Sequence, residues 1–147
     1  MAQMIEVGDK PEVKRTARAE GWLVLKPTTI TTIAEGKVKK GDPLCVAKVA
    51  AIQAVKETPR ILPLCHPLPV SGVEVDLKLE DNRVYATVQA TVYYKTGLEM
   101  EALTAVAVAL LTVWDMTKYL EKDADGQYPQ TSIQDLRVVS KNKGQVN

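Results

Sequence analysis

Asp115 and Lys118 stand three positions apart in the run W114-D-M-T-K118, a spacing that brings two side chains to one face of a helix. Such a pair is ordinarily a solvated surface ion pair. Here it follows the apolar run Ala102 to Trp114, and partial desolvation there would disfavour both charges unless they meet each other or a ligand. An ammonium that is poorly solvated sheds its proton nearer neutral pH, which suits general acid–base chemistry. At the other end of the same apolar stretch, K95-T-G-L-E-M-E101 places Lys95, Glu99 and Glu101 at the start of a helix. Carboxylates in a first turn are favoured by the helix dipole whatever else they do. They also accept two parallel N–H bonds, as from a guanine-like edge.

The only histidine, His66, lies in L64-C-H-P-L-P-V70 with prolines at 63, 67 and 69. A lone histidine is more often structural than chemical. Three prolines fix φ around it and lower the entropy cost of aiming one ring in one direction, a mount that suits proton transfer or donation to an anion. Lys39 and Lys40 precede Gly41-Asp42. Paired lysines are usually just solvated, but a lysine beside a helix N-terminus adds a whole charge to an end that already attracts phosphate.

The elements that must hold these groups follow from periodicity. Residues 1–19 mix charged and small types without an apolar period, so the reading makes them a flexible N-terminal arm. A short strand runs from Gly21 through WLVLK, and a short helix spans 28–34 before Glu35-Gly36. Asp42 as N-cap and Pro43 at the first helical position start a second helix, which Thr58-Pro59 ends near residue 57. V73-E-V-D-L-K-L-E80 and R83-V-Y-A-T-V-Q-A-T-V-Y93 alternate and form a hairpin about Asp81-Asn82. A long helix covers Glu99 to about Glu121, a final strand 133–139, and a polar tail 141–147. The order β, α, α, β, β, α, β predicts one α+β domain over 20–140, a mainly antiparallel sheet with helices packed on one face. The long helix is apolar all round, and a sheet covers one side only, so its other side is expected to meet another subunit.

Composition excludes several roles. In 147 residues, 19 Lys and Arg balance 18 Asp and Glu, leaving no basic field to concentrate nucleic acid or an anionic membrane. Two separated cysteines and one histidine offer no multidentate metal cluster. The N-terminal residues lack an apolar signal core, and the run Ala102–Trp114 is short for a membrane span, so a cytoplasmic protein with reduced thiols is expected. Glu101 and Asp115 are fourteen positions apart, or roughly 21 Å along a helix. One nucleotide-sized ligand cannot easily touch both ends, so a shared pocket would combine one copy's helix entrance with another's exit.

The stretches K40-G-D42, I61-L-P-L-C-H-P-L68, V73-E-V75, K95-T-G-L-E-M-E-A-L-T-A105 and W114-D-M-T-K118 resemble the cyclic pyranopterin monophosphate synthase family of molybdenum cofactor biosynthesis. The likeness runs from about Arg18 to Val139. It implies a ferredoxin-like α+β subunit in a homohexamer, a trimer of dimers. The implied enzyme is a lyase that converts 3′,8-cyclo-7,8-dihydro-GTP to cyclic pyranopterin monophosphate with release of pyrophosphate. By that resemblance Asp115 and Lys118 are the catalytic pair. Lys40, His66, Glu99, Glu101, Leu64, Cys65, Met100 and Lys95 bind substrate. No cofactor is required, and Mg2+ beside the substrate phosphates is left open. Tyr94 stands where members often have glycine, and S140-K-N-K-G144 replaces a GGKSG-like segment. The competing interpretation is a non-enzymatic oligomeric module that binds a nucleotide or partner; such a module needs the cations but not a poised acid–base pair.

Overall fold

The structure is a computed structural model that describes residues 1–144. The chain runs β1 (Val13–Val24), α1 (Pro27–Ala34), α2 (Pro43–Ile61), β2 (Val70–Leu79), β3 (Arg83–Tyr94), α3 (Glu99–Glu121) and β4 (Ser132–Lys143). The strands form one sheet in the order β2-β3-β1-β4, antiparallel throughout. Inserting β3 between β1 and β2 splits the β-α-β unit, which is the ferredoxin-like arrangement. The expected α+β class and element order hold.

The β2–β3 hairpin follows its alternating sequence. Leu77 is buried while Glu74, Asp76 and Lys78 stay exposed, and Glu80 N–H bonds the Arg83 carbonyl at 2.8 Å across the turn. Strand β1 differs from expectation. It begins at Val13 rather than Gly21, so residues 13–19 of the predicted arm are sheet. The inward side chains Ala17 and Ala19 are too small to announce a strand by hydrophobicity, yet both are buried. Their smallness lets α3 lie close on β1: a Cβ on Gly21 would come within 3.0 Å of Val106 Cγ1 and 3.2 Å of Leu110 Cδ1.

Helix α2 starts as expected, with Asp42 Oδ1 accepting from Leu44 N–H (3.0 Å) and Cys45 N–H (3.3 Å). It does not end at Thr58-Pro59 but continues to Ile61. Pro59 falls in the last turn, where its missing N–H forfeits a single bond, and the next turn closes through Leu62 N–H to the Thr58 carbonyl at 2.8 Å. Strand β4 is longer than 133–139 and takes in 141–143 of the expected polar tail; residues 145–147 of that tail lie outside the described residues.

The surroundings of α3 also need correcting. By length and composition the helix is apolar enough to cross a membrane. Its apolar surface instead serves the core: Ala102, Ala105, Val106, Ala109, Leu110 and Val113 are fully buried. The sheet packs on one side and α2 on another, so the chain itself covers more of α3 than one face. Leu111, at 52% exposed, marks the strip left over.

Candidate active site

The entrance of α3 and the loop between α2 and β2 enclose a cavity of about 180 Å3, lined by Leu64, Cys65, His66, Glu99, Met100 and Glu101 among others. The structure thus gathers six of the predicted residues. Gly97 makes room for them, since a Cβ there would run into the Glu99 carboxylate. Glu101 is 3% exposed and, among the described residues, has neither an ion pair nor a side-chain partner. Burial pushes its carboxyl above the usual carboxylate range; its own backbone N–H opposes this and the Glu99 charge adds to it. Glu99 is paired, with Lys141 Nζ 3.0 Å from its Oε1. Burial also raises the Cys65 thiol, reinforced by Glu101 and Glu99, so Cys65 is a lining group rather than a ready thiolate.

His66 borders a second hollow of about 260 Å3 as well, shared with Lys95, Tyr94 and the N-terminal residues Met4 to Gly8. Lys95 Nζ donates to the Gly8 carbonyl at 3.1 Å. Part of the expected free arm therefore lies against the site, and the Lys95 ammonium is engaged by backbone. Arg15 fixes the turn beneath them through its Nε on the Tyr94 carbonyl (3.1 Å) and its guanidinium on that of Lys95 (3.3 Å).

At the exit of α3, Lys118 Nζ lies 3.0 Å from Asp115 Oδ1, and Lys40 Nζ lies 3.4 Å from Asp115 Oδ2. Lys40 Nζ also meets the Asp115 backbone carbonyl at 3.3 Å. Two ammonium groups on one carboxylate leave a net positive cluster. The side chains are open to solvent within this chain, 59% for Asp115 and 43% for Lys118, which corrects the expected desolvation. Met116, Thr117 and Glu121 turn inward and are buried, whereas Asp115 and Lys118 lie on the outer face of α3, so the charges stay hydrated. Lys118, by hydrogen bond and charge, then Lys40, holds the Asp115 carboxyl below its ordinary value. Asp115 in turn holds the Lys118 ammonium above its own, so Lys118 is protonated here rather than poised to lose its proton.

Just beyond, Glu121 is fully buried. Its carboxylate accepts from Lys26 N–H (3.1 Å), from the Thr29 hydroxyl and from the Thr131 hydroxyl (2.6 Å). It caps α1 from a remote part of the chain and ties two segments, the start of α1 and Thr131, to the helix exit. A larger cavity of about 450 Å3, lined by Ile33, Leu44 and Leu79 among others, opens next to Gly36 and Gly41. Its one charged side chain, Asp42, is committed to capping α2, so it is poorly suited to an anion.

The sequence reading missed Lys141, Arg15 and Glu121. Lys141 sits in a tail-like run with no periodicity, Arg15 in the misassigned arm. Glu121 carries no local sign of a cap for a helix begun far upstream. The predicted residues fall into two groups at opposite ends of one helix, and the structure does not bring those groups together.

Frame and site together define a small ferredoxin-like α+β protein whose acid–base groups gather at the two ends of a central helix. The chain belongs to the MoaC family, matching it over residues 4–144. It is 54% identical to a "probable cyclic pyranopterin monophosphate synthase" of Thermococcus kodakarensis over 143 residues, 97% of this chain and 92% of that protein. A protein of the same name from Pyrococcus abyssi is 52% identical over 96% of this chain and 89% of its own. A "probable cyclic pyranopterin monophosphate synthase accessory protein" of Methanothermobacter thermautotrophicus is 55% identical, again covering 96% and 89%.

Proposed function

We propose that this chain is a cyclic pyranopterin monophosphate synthase that converts 3′,8-cyclo-7,8-dihydro-GTP to the cyclic monophosphate and pyrophosphate. The observation that carries the reading is the Lys40–Asp115–Lys118 cluster, whose net positive charge is what a polyphosphate requires. Lys40 neutralises the phosphates in both ground and transition states. Lys118 begins as the protonated partner of Asp115 and acts first as a general acid toward the atoms of the ring being rebuilt; Asp115 orients it and takes up the charge balance. Glu101, buried and without a side-chain partner among the described residues, receives the N–H edge of the base, with Glu99 and His66 shaping its surround.

Neither end suffices alone. The entrance cavity of about 180 Å3 is below the roughly 300 Å3 or more typical of small-molecule sites, and its fixed charges are carboxylates, which repel an anion. The exit has the cations but no enclosing wall. The complete site is accordingly assigned to a seam between copies, one providing Glu101 and His66 and the next Lys40, Asp115 and Lys118, in a homohexamer built as a trimer of dimers. The site requires no resident cofactor, and Mg2+ would enter only with the substrate phosphates. Two free cysteines, Cys45 and Cys65, fit a cytoplasmic setting.

The test is pyrophosphate release from the cyclic dihydro-GTP by mixed oligomers. Asp115→Ala and Glu101→Ala chains, each inactive alone, are expected to regain part of the activity when co-assembled. Absence of any rescue, with mixed oligomers verified by mass, would sink the shared site. A wild-type chain that releases no pyrophosphate would favour the accessory role named for the Methanothermobacter relative.

A further inference from the structure

We infer that Tyr119 is a positioning residue that sets the Lys40 ammonium against Asp115 by clasping the backbone of the preceding residue. This rests on the role proposed above for Lys40. The segment between α1 and α2 turns on two glycines in the left-handed region, Gly36 at φ 69° and Gly41 at φ 117°. Between these joints Lys37 N–H bonds the Thr32 carbonyl at 3.0 Å, and Gly41 N–H closes a turn on the Val38 carbonyl at 3.2 Å, so Lys39 and Lys40 ride on one compact turn. Val38 is buried, 7% exposed, and anchors the middle. Lys39 and Lys40 are exposed.

Tyr119 ties that turn to α3. Its hydroxyl accepts the Lys39 backbone N–H at 2.9 Å, and the Lys39 ammonium lies 5.1 Å from its ring centroid. Tyr119 follows Lys118 directly on α3, so the residue that grips the loop is rigidly attached to the element bearing Asp115 and Lys118. The loop and the helix exit are thereby held in one register, and Lys40 reaches both the Asp115 carboxylate (3.4 Å) and its carbonyl (3.3 Å). Without the clasp, the turn loses its backbone hydrogen bond to α3, and Lys40 is no longer held in register with Asp115. Holding a long side chain ready removes an entropy cost that substrate binding would otherwise meet.

An anion contact made equally in the ground and transition states affects KM rather than kcat. Tyr119→Phe keeps the ring and removes only the acceptor, so its KM for the cyclic dihydro-GTP is expected to rise about three- to tenfold, the size of one hydrogen bond, with kcat within about twofold and Tm unchanged. Tyr119→Leu, which also removes the ring beneath Lys39, should raise KM further. In a Lys40→Ala background, Tyr119→Phe should add nothing, because the group it positions is gone. The Asp115 carboxyl, followed by NMR titration, should move upward in Tyr119→Phe, in the same direction as is expected for Lys40→Ala.

A normal KM in Tyr119→Phe, with Lys40→Ala impaired, overturns the clasp and leaves the role of Lys40 intact. Additive effects in the double variant, or a Tyr119→Phe defect confined to Tm, overturn it too. A normal KM in Lys40→Ala removes the role of Lys40 itself, and the clasp falls with it.

Discussion

The two ends of α3 present opposite solutions to placing charge on an apolar helix. At the entrance, Glu101 is withdrawn from water with no counter-ion among the described residues. At the exit, Asp115 and Lys118 remain solvated and answer each other. A buried unpaired carboxyl costs stability and is a rigid, selective acceptor; an exposed ion pair costs little and contributes little until something excludes water from it. The entrance is therefore a prepared half-site, the exit one whose electrostatic strength depends on what closes over it. Asymmetry of this kind is what a site completed between copies would need.

The sharpest way to break the comparison is at the exit. Lys118→Ala is expected to lower kcat by about a thousandfold, within the range for losing a positioned acid–base group, while Tm and oligomer mass stay unchanged. Near-normal turnover would remove Lys118 from the chemistry and leave the exit as mere surface. Glu121→Ala, two residues past the clasp, should do the reverse. It strands the Lys26 N–H and two buried hydroxyls, and urea unfolding should report a loss of about 3 kcal/mol. A loss near zero would mean that the exit is not anchored by this carboxylate.

The contrast also shows which parts of the molecule a sequence can reveal. The β2–β3 hairpin and α3 were legible because periodicity and length are local properties. Asp42 as a cap was legible for the same reason, its partners Leu44 and Cys45 being neighbours in the chain. Strand β1 was not fully legible, because close approach of α3 demands alanine and glycine where a strand is usually announced by larger side chains. Spacing alone paired Asp115 with Lys118. It could not bring in Lys40, 75 positions upstream, and it misjudged the solvation of the pair, since apolar neighbours along a helix do not bury its outer face. Glu101 was recognisable as a first-turn glutamate, but its isolation from any cation depends on tertiary walls from residues 64–66.

Substitution at the entrance sharpens the comparison through pH. Because the folded-state value of Glu101 is raised, its contribution to stability is fully present below the ordinary carboxylate range and is lost as pH rises through the raised value. Glu101→Gln keeps the shape without that titration. It is expected to lower kcat/KM about tenfold or more, as loss of a charged acceptor does, and yet to melt higher than wild type at pH 7, with the two curves converging in acid. Higher activity or a lower Tm at pH 7 would contradict a buried carboxyl kept for function against the interest of the fold.

Asp115 runs the other way. Its value is depressed by Lys118 and Lys40, so whatever the ion pair adds to stability is present above the ordinary aspartate value and disappears as pH falls through the depressed one. The group is fully hydrated in this chain, and screening makes that addition small. Asp115→Asn should therefore leave the isolated chain's Tm unchanged across pH 3 to 8 while abolishing most turnover of the assembled protein. Should Asp115→Asn instead lower Tm only in the assembled oligomer, the exit is being dried by its neighbour, and the second half of the comparison acquires its missing wall.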